Sequence, residues 1–347
     1  MASSSVQDLL FDIGFRPEAL LILQMSDAEL QEASFLDQRI LQGLQVAPRW
    51  VSADAVERQL QSWTPDRPAS FIFHQGHVGS TLLSRLIGNA PNVLSLREPQ
   101  VLRTLAQAGL QRNQPSSLVS PGRFADLLSL ATKMMARPLG ARSQPVVKAT
   151  SIASLLADDI AEATGASMLG MTIRADRYLA AIMGQEGNRR EAVSFAPLRR
   201  QMIARHLPGA SFAVHELGEG ELVAMAWLAG ALDLSALVHV RPERTMLLDF
   251  DDFLAEPAPR FERAARHLGA DMTAEHAAAA VAGPLMSRYS KAQEHRFSAA
   301  QRSQVLDAAI GEHGEEIGRG LAWLDRMANH HPAAAQALET VGARRET

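Results

Sequence analysis

The residues Gly76-His77-Val78-Gly79-Ser80-Thr81 follow the bulky run Phe71-Ile72-Phe73 and precede Leu82, Leu83, Leu86 and Ile87. Glycines let a backbone turn sharply and come close to a ligand. A helix that opens straight after such a turn presents unpaired N–H groups and the positive end of its dipole, which suits an anion and above all a phosphate. The same residues would also make a plain strand-to-helix turn. They do not make a Walker A loop, because GxxxxGKS/T needs a lysine and none lies between Gly76 and Arg85. Three more charged residues stand at or just past the ends of β-prone runs: Glu98 after residues 93–96, Lys148 within 144–149, and Arg174 after 167–173. Each also has an ordinary reading: Glu98 beside Arg97, Lys148 solvating a strand end, Arg174 paired with Asp176 or Asp158.

These positions need strands that end together. The β-prone runs alternate with helical stretches, which predicts an α/β fold with a mainly parallel sheet and helices on both faces. In such a sheet ligands bind at the carboxyl ends of the strands, so the Gly76 loop, Glu98, Lys148 and Arg174 would face one crevice. In the helix after the loop, Leu82, Leu83, Leu86 and Ile87 share a face and Ser84 and Arg85 point elsewhere. Residues 1–65 read as a mainly helical extension, with Ser26-Asp27-Ala28-Glu29 as a helix start and Leu36, Ile40, Leu41 and Leu44 at helical spacing. That extension is a cap, a docking arm or part of an acceptor site. Residues 66–295 form the α/β core, and 296–347 are C-terminal helices on it with a short tail. Residues 111–121 make a polar connection or a lid, and the basic residues within 184–200 form a solvated face or a lining over an anion. Trp227 sits in a helix read as core.

The totals bound the rest. The 347 residues are 47% hydrophobic and 21% charged, with a formal net charge of −4, so no global charge favours nucleic acid. With no cysteine, disulfides and thiolate chemistry are excluded, a composition that suits the cytoplasm. The N-terminus lacks the basic region and apolar core of a signal peptide. The most apolar later run, 222–232, is too short to span a bilayer and reads as a buried helix. No metal-binding motif is present.

The stretch from Gly76 through Ser80-Thr81 to Glu98 resembles the PAPS-dependent sulfotransferases, PAPS being 3′-phosphoadenosine 5′-phosphosulfate. Its motif layout is similar to that of the tyrosylprotein branch and bacterial relatives, whose loop reads P-K/R-x-G-S/T-S/T. Val146-Val147-Lys148-Ala149-Thr150 looks like the strand that carries their catalytic lysine. Ile173-Arg174-Ala175-Asp176-Arg177 looks like their R-D-x-R segment. The segment 249–257 with Phe261 and Leu268-Gly269 is similar to a structural segment of the family, and 287–291 stands where relatives have a Ser/Lys segment. The resemblance spans roughly residues 70 to 295.

The resemblance implies the P-loop-like sulfotransferase fold and sulfuryl transfer from PAPS to a hydroxyl acceptor without a metal. Glu98 would be the general base, with Lys148 and His77 stabilising charge. Gly76, His77, Val78, Gly79, Ser80 and Thr81 would hold the phosphosulfate, and Arg174, Arg177, Ser290 and Lys291 the adenosine phosphate. Two positions depart from the pattern: His77 replaces Lys or Arg, and Ile182 replaces a Ser eight residues after Arg174. A free imidazole titrates near pH 6.5, so donor binding through His77 should weaken between about pH 6 and 8. Two other functions compete. One is a P-loop kinase, which the missing lysine and the absence of a clear Mg²⁺ carboxylate disfavour. The other is a sulfotransferase-like scaffold that binds a nucleotide or a partner without turnover.

Overall fold

The structure is a computed structural model, and it describes residues 6–43, 47–289, 292–296 and 298–342. Its centre is a five-stranded parallel sheet in the order β5-β6-β4-β7-β8. These strands are β4 (Ser70–His74), β5 (Val93–Arg97), β6 (Gln144–Lys148), β7 (Met168–Thr172) and β8 (Thr245–Asp249). Every residue of β4, β5, β6 and β7 is buried, as expected for continuous apolar strands covered on both faces. The expected α/β architecture with a parallel sheet flanked by helices is therefore present.

The connections decide where a ligand can sit. From β4 the chain runs through α3 (Ser80–Gly88) to β5, two places away in one direction. From β5 it returns through α4 (Gln100–Gln111) and α5 (Pro121–Met135) to β6. It then passes α6 (Ala157–Thr164) to β7 and continues through α7 (Ala175–Met183), α8 (Glu186–Ser194), α9 (Ala196–His206) and α10 (Glu219–Val240) to β8. Right-handed crossovers then put α3 on one face and α4 to α10 on the other. The reversal falls between neighbours β4 and β6, so a crevice opens at their carboxyl ends.

Helix α3 is buried almost all round; only Arg85 is half-exposed. Ser84, expected to point away from the apolar face, is also buried, where its hydroxyl meets that of Ser95 at 3.0 Å. Helix α10 is longer than the run read from the sequence. It is long and apolar enough to cross a bilayer by length and composition, but 78% of its apolar window is buried inside the protein. Trp227 lies at its centre, fully buried, and its indole donates to the Ile173 carbonyl at 2.8 Å. After β8 come α11 (Phe250–Ala255), α12 (Pro257–His267), α13 (Ala274–Ala282), the paired strands β9 (Arg288–Tyr289) and β10 (Ala292–Arg296), and the C-terminal helices α14 (Ala299–His330) and α15 (Pro332–Val341).

The N-terminal segment corrects the sequence reading. It is not mainly helical. It is a three-stranded antiparallel sheet of β1 (Val6–Phe15), β2 (Glu18–Ser26) and β3 (Arg49–Ser52), with the short helices α1 (Asp27–Glu32) and α2 (Ala53–Leu60). A bulge between Leu10 and Asp12 breaks the two-residue period. Leu9, Leu10, Phe11 and Ile13 are then all buried, a spacing that imitates a helix. The start at Ser26 is as expected: its side chain and that of Glu29 form a reciprocal capping box. Of Leu36, Ile40, Leu41 and Leu44, Ile40 and the exposed Leu41 lie in a short 3-10 turn over Gln38–Gly43, Leu36 precedes that turn, and Leu44 lies outside the described residues.

Candidate functional site

The loop after β4 is built for close approach. His74 is buried, and its Nδ1 accepts the Gly76 N–H at 3.0 Å. Its Nε2 therefore carries the proton and donates to the Ala149 carbonyl at 2.9 Å. One imidazole thus ties the loop to the end of β6 and uses up the first loop N–H. Gly76, His77 and Gly79 take positive φ values of 90°, 53° and 68°. A Cβ on Gly79 would lie 2.1 Å from the Phe250 ring, so only glycine fits. Ser80 and Thr81 then open α3. Thr81 is 2% exposed, and its buried hydroxyl has no hydrogen-bond partner among the described residues.

Across the crevice stands an ion pair between Lys148 and Glu98. Lys148 ends β6 at 1% exposure. Glu98 follows β5, and its N–H extends the ladder to the Lys148 carbonyl at 2.6 Å. Glu98 has φ of 53°; among the described residues it and His77 are the non-glycine positions with positive φ. Such a conformation costs about 1–2 kcal/mol and persists only where the surroundings impose it. The N-terminal segment imposes it here. Leu36 N–H donates to the Arg97 carbonyl at 2.7 Å and Gln100 N–H to the Leu36 carbonyl at 2.9 Å, so Leu36 straddles the Glu98 turn. The buried Arg97 guanidinium holds the same segment through the carbonyls of Leu30, Gln31 and Ala33. Burial, and secondarily the charge of Arg85, push the Arg97 pKa down to about 10.

Loop, Glu98 and Lys148 line one cavity of about 900 Å³. Its other walls carry Phe35 and Arg39 from the N-terminal segment, Arg103 from α4, Arg199 from α9 and Arg302 from α14. Ile182, the position that departs from the family pattern, is buried and lines the same cavity. Arg199 is the member of the basic 184–200 stretch that reaches this cavity, whereas Arg189 and Arg190 pair with Glu219 and Glu186. The polar connection near 111–121 does not line it.

Arg174 and Arg177 do not join this group. They line an adjoining cavity of about 320 Å³ with Asp249, Asp251 and Ser303. Arg174 forks onto Asp176, at 3.1 and 2.6 Å, and Arg177 lies 3.6 Å from Asp307. The expected four-way convergence is thus three strand ends on one cavity and Arg174 on its neighbour. Arg302 borders both. One of its amino groups meets Asp251 at 2.5 Å, its Cζ lies 5.0 Å from the Phe250 ring centre, and its other amino group is buried with no partner among the described residues. Ser290 and Lys291 lie outside the described residues. Arg302 sits in an Ala-rich helix far along the chain, and Phe35, Arg39 and Arg103 sit outside every motif. No local pattern marks any of them, and only contact does.

No family model matches the chain, and no curated protein matches it. Among solved structures it is similar to the sulfotransferase domain from the Curacin biosynthetic pathway, at 10% identity over 72% of this chain and 99% of that one, with a TM-score of 0.43. It is similar to the sulfotransferase domain from the Synechococcus PCC 7002 olefin synthase, at 12% identity over 82% and 98%, with a TM-score of 0.42. It is similar to a sulfotransferase from Alicyclobacillus acidocaldarius, at 13% identity over 74% and 98%, with a TM-score of 0.34. These solved structures are sulfotransferases, but likenesses at such identities and scores assign no activity to this chain.

Proposed function

We propose that the chain is a sulfotransferase that moves a sulfuryl group from PAPS to a hydroxyl-bearing acceptor. The observation that carries this reading is the pairing, in one cavity, of a glycine loop with an unpartnered buried Thr81 hydroxyl and a buried Glu98–Lys148 ion pair. Two buried donors with no partner among the described residues, the Thr81 hydroxyl and the Arg302 amino group, are polar groups that a bound anion would satisfy. The N–H groups beyond Gly76, with Ser80 and Thr81, would hold the phosphosulfate. The smaller cavity, with Arg174, Arg177 and Arg302, would take the 3′-phosphate, and the guanidinium forks suit it.

The donor supplies an activated sulfuryl group, whose S–O bond to phosphate breaks as the acceptor oxygen forms its bond to sulfur. Glu98, as the ionised carboxylate, takes the proton of the acceptor hydroxyl. Lys148 and His77 offset the negative charge left on the phosphate oxygens. The backbone of Leu36 and Arg97 keeps the Glu98 turn from relaxing.

Calorimetry with PAP, the 3′,5′-bisphosphate product, beside AMP, ADP and ATP with Mg²⁺ tests the donor. Selective PAP binding is expected, weakened on the order of 10- to 100-fold in Arg302→Ala or Arg174→Ala. Tighter binding of ATP with Mg²⁺, or no nucleotide binding, overturns the reading.

A further inference from the structure

The strand order separates the two ends of the cavity. Along the carboxyl edge lie Glu98 at β5, Lys148 at β6, the loop at β4 and Arg174 at β7, at about 4.8 Å per strand. A donor held by the loop and the Arg174 side leaves the Glu98 side for the acceptor. That side is walled by residues the donor reading does not use. Phe35 lies near two cations, with the Arg39 guanidinium 3.6 Å and the Lys148 ammonium 5.9 Å from its ring centre. Arg39 is also forked onto Asp37. Its guanidinium is held charged chiefly by that hydrogen bonding, against burial, and further by the charges of Asp37 and Glu98. Arg103 stands about 5 Å along α4 from the first residue of that helix, at 1.5 Å per residue. It donates to the Thr150 hydroxyl at 3.3 Å, and among the described residues it has no ion pair. Asp37 feels the charge of Arg103 as well as of Arg39. Glu98, Asp37, Lys148, Arg39 and Arg103 therefore form one cluster with a surplus cation, and Arg103 is the member without a carboxylate. The same cavity is also lined by apolar Ile152, Leu198 and Met202.

We infer that Phe35, Arg39 and Arg103 form the acceptor subsite, and that it selects an alcohol or phenol bearing a carboxylate or phosphate group, with the anion on Arg103 and the hydroxyl at Glu98. This rests on the sulfotransferase reading for the reaction, but not for the binding. The N-terminal segment is then part of the site and not a cap, because it supplies Phe35 and Arg39 and braces the Glu98 turn. Arg103 is a specificity-determining residue that remains distant from the sulfur.

The test is ligand-observed NMR titration of the full chain with 4-hydroxyphenylacetate, 4-hydroxybenzylphosphonate and methyl 4-hydroxyphenylacetate, with and without saturating PAP. Both anions should bind at least about tenfold more tightly than the neutral ester, the range of a charge-assisted hydrogen bond. Arg103→Gln should abolish that preference, and Arg103→Lys, which keeps charge and bulk, should restore part of it. The PAP affinity of either variant should equal that of wild type. The inference is overturned if the ester binds as well as the anions, if none of the three binds at millimolar concentration, or if the preference survives in Arg103→Gln. A loss of PAP affinity in Arg103→Gln overturns it too, because Arg103 would then serve the donor. If PAP does not bind yet the preference tracks Arg103, the donor reading falls and the acceptor subsite stands.

Discussion

Replacing Glu98 by Gln separates the structural and chemical roles of the Glu98–Lys148 pair. Lys148 is 1% exposed and Glu98 12%, so the pair is far from the surface case in which an ion pair is worth little. Gln keeps the size and polarity of the side chain but removes the charge against which the ammonium is buried. Breaking a buried pair from one side costs about 3–5 kcal/mol, and the retained amide contact puts Glu98→Gln near the lower end, at about 3 kcal/mol. The positive φ at this position strains Glu and Gln alike and cancels. Against a total stability of about 5–15 kcal/mol the variant still folds. Adding Lys148→Met removes the stranded charge, so the double variant should lie within about 1–2 kcal/mol of wild type. The coupling energy is then about 2 kcal/mol or more. Activity should behave differently. Glu98→Gln should lose on the order of 10²- to 10⁴-fold in kcat, as for a missing general base, and the double variant should recover none of it. Urea unfolding of the four proteins and single-turnover sulfuryl transfer measure both quantities. An additive cycle would refute the buried ion pair. Loss of less than tenfold in Glu98→Gln would refute the base.

Three further outcomes follow from the geometry. Gly79→Ala combines a positive-φ penalty of about 1–2 kcal/mol with a Cβ placed 2.1 Å from the Phe250 ring, and should cost about 3 kcal/mol and most nucleotide affinity. Gly76→Ala, with nothing within 4 Å, should cost only the backbone term; equal thermal shifts for the two would contradict the packing of the loop against Phe250. The Glu18 carboxyl is held below its ordinary value of about 4.5, chiefly by hydrogen bonds from Arg123. Its stabilisation is thus present above about pH 4.5 and lost as pH falls through the depressed value. At 29% side-chain exposure the pair is worth about 0.5–1 kcal/mol, so Glu18→Gln should lower the urea midpoint at pH 7 and by progressively less as the pH falls below 4.5. His77→Ala should weaken PAP binding on the order of tenfold; an unchanged affinity would remove His77 from the proposed anion site.

Much of this site is legible in one dimension, because each of its main parts is local. A β-prone run, two glycines and a helix start lie within about a dozen residues, while Glu98 follows a buried strand and Lys148 ends one. Backbone geometry then singles out His77 and Glu98 on independent grounds, through positive φ. The N-terminal segment is not legible in this way. The bulge at Leu10 and Asp12 puts adjacent apolar residues on the buried side and so copies helical spacing. Ser84 escapes a reading by apolar pattern for another reason: a small hydroxyl can be buried against a second hydroxyl, here that of Ser95.

By itself, then, the sequence determined the alternating α/β order, the glycine loop before α3 and the strand-end positions of Glu98, Lys148 and Arg174, since these depend on neighbours within a few residues. The tertiary structure decided which of them meet. The connections leave the parallel neighbours β4 and β6 in opposite directions, so the loop and Lys148 share a crevice while Arg174 opens on the next one. Phe35, Arg39, Arg103 and Arg302 enter from distant elements. Their place is set by packing between segments tens to hundreds of residues apart, and that information is carried by burial and backbone contact, not by spacing along the chain.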